Sequence, residues 1–412
     1  MEVVSPIIAG LDVHERTVVV CLRVQKEKRV QRSLRTFGTT TPALLELQRW
    51  LVENQCPCAV IESTGVYWKP VFNILEGSVE VILANAHQVK TLPGRKTDMR
   101  DAEWLAELGA HGLVKASFIP PEPIRELREL TRYRKSLIRQ RTAEVNRIQK
   151  ILETANIKLG SVASDVLGAS GRAMLRALIA GERDAVVLAG LAKGTLRKKI
   201  DQLIPSLTGR FLQRHAFLLR QMLDHVEFID GQIATIDGEV ERACAPFEIP
   251  LQLLQSTPGV GSRTAQVIVA EIGCDMNQFP TEHHLASWAA ICPGNNESAG
   301  KRRTGKTRNG NPWLRAALVE AAWAASRARG TYLQSQFRHL AYARGKGTRK
   351  AIVAVAHSIL IAAWHILKKN VPYNDLGPEH LRRTNPEKIK RHLVRKLEAL
   401  GYRVSLEEGT AA

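Results

Sequence analysis

No two cysteines in this chain stand at C-x-x-C spacing. The six (Cys21, Cys56, Cys58, Cys244, Cys274 and Cys292) are scattered, which excludes a zinc ribbon and reads as reduced cytosolic thiols. No signal peptide is expected, because Glu2 and Ser5 interrupt any apolar core before Asp12. One apolar stretch, Ala351 to Leu367, approaches membrane length, but it has 17 residues and includes His357, Ser358 and His365. A span needs roughly 20 mostly apolar residues, so a buried core helix is expected and no membrane partner. Gly305-Lys306-Thr307 is not a Walker A, since the upstream glycine lies at the wrong spacing and no strand precedes it. Acids are the scarcer charge, 40 against 59 Lys and Arg, for a net charge of +19. Such an excess points to a polyanion, of which nucleic acid is the commonest. At 412 residues the chain can fold as two or three domains, each with its own core.

Residues 7–112 alternate strand and helix signals. Ile7–Val13 and Thr17–Val24 flank the turn His14-Glu15-Arg16 as a hairpin, and Val30–Phe37 supplies a third strand. Thr41-Pro42 opens a helix carrying Leu44, Leu45, Leu47, Trp50 and Leu51. Ala59–Ile61 and Val79–Leu83 are short β-rich runs around a helix through Trp68 and Phe72. A last helix has Thr97 as its N-cap and Ala102, Leu105, Ala106 and Gly109 as its inner stripe. This is the element order of a ribonuclease-H-like sheet.

Four carboxylates sit where such a sheet gathers its acids. Asp12 ends the first apolar run, Glu62 ends the fourth strand, and Asp98 and Asp101 stand three apart on one helix face. Four acids at one point repel each other unless cations neutralise them, and hard oxygen donors suit Mg²⁺. Two such ions would clamp the attacking and leaving oxygens of a displacement at phosphorus. Taken singly, each Asp reads first as a cap or turn residue; it is the four together, each at the expected end of its element, that point to a site.

After Pro120-Pro121-Glu122-Pro123 the β signals vanish. Residues 124–160 form a basic helical run, either a solvated face or one turned to nucleic acid. Leu219, Met222, Val226, Ile229, Ile233, Ile236 and Val240 follow a heptad seam, with Gly231 and Gly238 off it. A coiled coil between protomers is the favoured reading, packing within the chain the other. Pro258-Gly259-Val260-Gly261 then leads into an apolar helix in the manner of a helix-hairpin-helix. There Gly259 and Gly261 would let backbone N–H groups meet a phosphate. An ordinary glycine turn between core helices is the alternative. From Glu297 to Lys350 there are 13 Lys and Arg against two Glu. Lys301, Arg302, Arg303, Lys306 and Arg308 crowd a glycine-rich loop able to wrap a phosphate backbone, and Asn311-Pro312 starts the next helix. Ser298 in that loop has no His/Asp partners of a hydrolase triad, and composition alone makes it a solvent-facing serine.

Gly10-Leu11-Asp12-Val13-His14, Ile61-Glu62-Ser63-Thr64-Gly65 and Lys96-Thr97-Asp98-Met99-Arg100-Asp101-Ala102 resemble the DEDD transposases of the insertion sequence one-ten family. Pro258-Gly259-Val260-Gly261, Ala286-Ser287-Trp288 and Ser298-Ala299-Gly300-Lys301 resemble the second, C-terminal domain of that family. The resemblance covers roughly residues 7–155 and 251–340. It implies a RuvC-like N-terminal domain whose acids, here Asp12, Glu62, Asp98 and Asp101, hold Mg²⁺. It implies a serine, matched by Ser298, that attacks DNA to form a phosphoserine link, with acids and serine meeting across protomers of a tetramer. It also implies a structured guide (bridge) RNA that pairs with donor and target DNA, and a prokaryotic, cytoplasmic, nucleoid-associated protein. One departure stands out: Glu297 precedes Ser298 where the family pattern has a second serine, placing a negative charge beside the nucleophile.

The expected organisation is α/β followed by α. Residues 1–120 form the RuvC-like catalytic domain and 121–250 a helical and coiled-coil linker for oligomerisation, as a dimer or tetramer. Residues 251–372 form a mainly helical transposase domain with the helix-hairpin-helix and serine loop, and 373–412 a small helical tail. The expected activity is cutting and rejoining DNA at element ends and target. Three alternatives remain: a metal-dependent Holliday-junction-type nuclease without a covalent intermediate, a non-catalytic nucleic-acid scaffold, and an actin-like sugar kinase. The last is disfavoured because its glycine phosphate loops are missing.

Overall fold

The computed structural model describes residues 3–26, 29–63, 65–86, 89, 101–292, 296–298, 301–304, 307, 310–380 and 386–406. Two compact units divide the chain, Met1–Ile119 and Pro120–Ala412.

In the first unit the elements run β1 Ile7–Val13, β2 Thr17–Lys26, β3 Arg29–Gly38, α1 Thr41–Glu53, β4 Cys58–Glu62, α2 Trp68–Leu75, β5 Glu80–Ala84 and α3 Asp101–Ala110. They build one five-stranded sheet of order β3-β2-β1-β4-β5. β1–β2 and β2–β3 pair antiparallel, whereas β1–β4 and β4–β5 pair parallel. Alternation along the strands sends two sets of apolar residues to opposite faces. Leu11, Val20, Leu22 and Ile61 pack with Leu44, Leu47 and Leu51 of α1 on one face. Ile8 and Val60 pack with Leu105 and Leu108 of α3 on the other. Ala102, Leu105, Ala106 and Gly109 are all buried, as the helical spacing predicts, and so are Trp104, Leu108 and Ala110, because the helix is covered beyond that one stripe. Helix α3 lies very close to the strands. A Cβ on Gly109 would come within 2.6 Å of Ile8 and Val60, and one on Gly10 within 2.1 Å of the Ala102 carbonyl. Thr97, the expected cap, lies outside the described residues.

The second unit is mostly helical: α4 Glu122–Thr154, α5 Leu159–Val162, α6 Ala169–Ala180, α7 Ala185–Gly190, α8 Ile200–Leu207, α9 Gln213–Cys244, α10 Glu248–Gln255, α11 Ser262–Ile272 and α12 Glu282–Trp288. There follow β6 Asn296–Ser298, β7 Lys301–Thr304, α13 Pro312–Ala325, α14 Tyr332–Arg338, α15 Thr348–Lys369 and α16 Pro386–Ala399. The heptad seam of α9 has its partner inside the chain. α9 packs along α4, Leu219, Val226, Ile229 and Val240 are buried, and Leu219, Leu223 and Val226 share a core with Ile148 and Leu152 of α4. Seam spacing reports only that a helix needs a long apolar partner, and a neighbouring helix of the same chain meets that need as well as a second protomer would.

The basic run of α4 likewise turns inward. Arg134 pairs with Asp237, Arg141 with Asp230, and Arg147 with Glu144, which also meets His225. As residue numbers rise along α4 those of its α9 partners fall, so the two helices run antiparallel. Lys135 pairs with Glu320, and the Arg139 guanidinium stacks 4.6 Å from the Trp313 ring centroid. Most of these cations are therefore engaged within the unit, and the run is not an open nucleic-acid face. Burial works against charge on Asp230. Hydrogen bonds from Arg141 and Arg172, with the charges of both, outweigh it and hold the carboxyl below the usual aspartate range.

Glu271 joins three helices. Its side chain is fully buried, and Arg132 of α4 donates to both carboxylate oxygens at 2.8 and 2.7 Å. Arg128 donates to the carbonyls of Ala270 and Glu271 at 2.9 and 2.8 Å. Asn311 Nδ2 donates to Glu271 Oε2 at 2.6 Å, while Asn311 Oδ1 accepts from the Trp313 and Leu314 amides and so caps α13.

Helix α15 is long and apolar enough to cross a membrane by composition. Here it packs against α10, α12, α13 and α14 with Ile352, Val355, Ile359 and Leu360 buried, as a core helix does. All six cysteines are free. Burial pushes Cys56 up to about 11 and, with Glu80 beside it, Cys58 up to about 12.

Replacing Glu271 by alanine removes the shared acceptor of Arg132 and Asn311 and should cost the second unit about 3 kcal/mol, the lower end for a broken buried pair. Urea unfolding followed by the helical circular dichroism signal, which comes mostly from the second unit, measures it. Because the Asp230 carboxyl is depressed, its stabilisation is full above the unfolded pKa and is lost as pH falls through the folded value. Melting of wild type should fall below about pH 4, near the unperturbed aspartate value. In Asp230→Asn the curve should start lower and fall less steeply.

Candidate carboxylate site and serine hairpin

The parallel register of β1 and β4 brings two of the four acids together. Leu11 pairs with Ile61, so Asp12 and Glu62 are the next residues at two adjacent strand ends. Alternation puts Asp12 on the side of Ile8 and Gly10, and Glu62 on the side of Val60. That is the face α3 covers. Asp101 is the first residue of α3, immediately before the Ala102 carbonyl that closes on Gly10. Three acids from two strand ends and one helix start thus share one end of one sheet face. Glu62 is half-buried and Asp101 exposed. Asp12 is partly buried and meets the ring of His14, with Nε2 3.1 Å from Asp12 Oδ2. Asp98 lies outside the described residues. Among the described residues, no three His, Cys, Asp or Glu side chains are close enough to hold an ion. The donor set is nonetheless all carboxylate, which suits a hard divalent cation.

Close contact between α3 and β1 is what makes this arrangement possible. Gly10 is the position where the helix backbone meets the strand, and any side chain there would lift the helix start off the sheet.

In the second unit, Ser298 lies in a two-stranded hairpin. β6 and β7 pair antiparallel with Ser298 opposite Lys301 and Glu297 opposite Arg302, and a register irregularity falls between Asn296 and Glu297. Two residues, 299 and 300, separate the strands, so Ser298 ends its strand at the tip. The expected glycine-rich basic loop is in this part regular β structure carrying Lys301, Arg302 and Arg303 on its second strand. Lys306 and Arg308 lie outside the described residues. The base of the segment is held after Arg308. A Cβ on Gly310 would come within 2.4 Å of the Ala289 carbonyl and of Ala290 Cβ, and Asn311 is bound by Glu271.

The two hairpin-turn glycines have different surroundings. Gly259 has φ +87°, and a Cβ there would come within 2.3 Å of the Ala321 carbonyl and 2.6 Å of the Ala325 amide of α13. Its first duty is to let the turn pack on that helix. Gly261 caps α11 with no side-chain cap bond, and a Cβ there would meet nothing within 4 Å.

Glu271 is the residue that motif reading missed; Asn311 was read as a helix start, but not as a partner of Glu271. The available signal was a lone carboxylate inside the apolar run Val267-Ile268-Val269-Ala270, since a charge buried there must be paired.

Comparison with known proteins agrees on both units. A family model described as Transposase matches residues 9–157, and one described as Transposase IS116/IS110/IS902 family matches residues 251–338. Together they span more than half of the chain. A Coxiella burnetii protein named as the transposase for insertion sequence element IS1111A is 24% identical over 77% of this chain and 79% of its own length. A Streptomyces coelicolor protein of insertion element IS110, an uncharacterized 43.6 kDa protein by name, is 28% identical over 69% of this chain and 74% of its own. With both matched segments falling on the carboxylate sheet and on the helices around the serine hairpin, the chain belongs to the IS110 family of DEDD transposases.

Proposed function

We propose that this protein is a DNA transposase that cuts and rejoins strands at the ends of its element and at a target. The carrying observation is the delivery of Asp12, Glu62 and Asp101 to one end of one sheet face. The sheet order β3-β2-β1-β4-β5, antiparallel and then parallel, supports a ribonuclease-H-like, RuvC-like fold for the first unit. Asp12, Glu62, Asp101 and Asp98 would hold divalent cations, Mg²⁺ being the best match to hard oxygens. Bound there, the cations would stabilise charge on the attacking and leaving oxygens. His14 would keep the Asp12 carboxylate oriented.

Ser298 serves as the nucleophile. Its hydroxyl gives up its proton and its oxygen bonds to phosphorus as the sugar oxygen departs, the sugar oxygen taking up a proton in balance. A second strand's hydroxyl then reverses the exchange, so one phosphodiester is traded for another without hydrolysis. Lys301, Arg302, Arg303, Lys306 and Arg308 supply positive charge to the DNA backbone, and the first turn of α11 at Gly261 supplies N–H donors. Glu297 has Arg302 as its register partner across the hairpin. A structured guide RNA and a homo-oligomer, dimer or tetramer, complete the reading.

Labelled element-end DNA is incubated with Mg²⁺ and RNA transcribed from the element's flank, and the products run on a denaturing gel. Wild type should give a protein–DNA adduct that Ser298→Ala loses entirely, and Asp12→Asn should abolish strand exchange while RNA binding stays within about twofold. Cleavage by Ser298→Ala at the wild-type rate with no adduct would show instead a hydrolytic junction nuclease. Full activity of Asp12→Asn would remove the carboxylate site from the mechanism.

A further inference from the structure

Between Glu320 and Asp375 the chain contains no acid but nine Lys and Arg. Five of them, Arg338, Arg344, Lys346, Arg349 and Lys350, fall within 13 residues at the turn from α14 to α15, and all five are exposed. The contrast with α4 is sharp. There Arg132, Arg134, Lys135, Arg141 and Arg147 each pair with a carboxylate. Among the described residues, none of the five turn cations has such a partner. Uncompensated like charges so close together destabilise the fold slightly, and a polyanion that neutralises them regains that energy.

The turn also presents an aromatic ring. Tyr342 is 68% exposed in the π-helical turn His339–Ala343. Its ring is braced from beneath, edge-on to Phe337 at 6.0 Å, and Phe337 lies 6.1 Å from Trp323. Gly345 and Gly347 have φ +60° and +80° and nothing within 4 Å of a Cβ, so the backbone bends sharply and stays open to close approach. A braced, exposed ring among unpaired cations suits a base stacked on it with its phosphates held on either side. Bases in a duplex are already stacked, and only an unpaired one can use the ring.

We propose that the turn Arg338–Lys350 is a docking surface for single-stranded DNA, with Tyr342 as the stacking platform and Arg344, Lys346, Arg349 and Lys350 as the phosphate contacts. It rests on the reading that this chain handles DNA and is independent of the role of Ser298. Unpaired DNA arises whenever strands are opened for exchange.

Fluorescence anisotropy of the full chain with a labelled thymidine oligonucleotide, a duplex and an RNA of equal length tests it. Tyr342→Ala should weaken single-strand binding about tenfold, leave the duplex within twofold, and be rescued by Tyr342→Phe. Arg344→Gln with Lys346→Gln should flatten the single-strand salt dependence, the slope of log K on log salt, by about 1.4 for two lost contacts. These side chains are exposed, so unchanged melting curves should accompany the losses. Unaltered single-strand binding in Tyr342→Ala, or an unaltered salt slope in the double variant, would overturn the surface. Tighter binding of the RNA with the same losses would assign the surface to RNA and overturn the DNA partner. Failure of wild type to bind any of the DNAs would overturn the transposase reading as well, so the two failures are distinguishable.

Discussion

The second unit depends on the buried carboxylate of Glu271. A charge with no exposure to water is tolerable only if its oxygens are bonded, and here Arg132 takes both while Asn311 takes one again. Each partner is committed elsewhere. Arg132 belongs to α4, and Asn311 caps α13 directly after the segment that carries the Ser298 hairpin. Helices α4, α11 and α13 are thereby tied at one point by directional bonds, which apolar packing alone does not supply. Gly259 reinforces the tie by letting the preceding turn sit against the backbone of α13. The residues nearest the proposed nucleophile are thus set by contacts well outside the hairpin.

Charge is sorted by the same packing. The chain carries +19, but the densest arginine helix spends its cations on internal acids. Where acids are missing from the sequence, at the turn before α15, five exposed cations have no carboxylate partner among the described residues. Net charge alone would have favoured α4 as the nucleic-acid face. Only pairing distinguishes a cation that holds the protein together from one left for a ligand.

In the first unit the decisive constraint is the closeness of α3 to the sheet. Gly10 and Gly109 remove the two side chains that would hold the helix away. The parallel pairing of β1 with β4 then sets Asp12 beside Glu62, and the helix start brings Asp101 to the same face. Asp12, Glu62 and Asp101 are thereby carried by strands and a helix start rather than by loops, as the proposed carboxylate site requires.

Short β-rich apolar runs made all five strands and their order along the chain legible in the sequence, and helical spacing did the same for the inner residues of α3, because those signals are local. The placement of Asp12 and Glu62 at strand ends was legible for the same reason. The heptad seam was legible as a need for burial but not as a choice of partner; whether α9 met α4 or another protomer depended on a helix some 80 residues away in sequence. The partners of the α4 arginines and of Glu271 were not legible. A residue type states the charge to be satisfied, and only the tertiary structure decides which distant group comes within hydrogen-bonding reach to satisfy it.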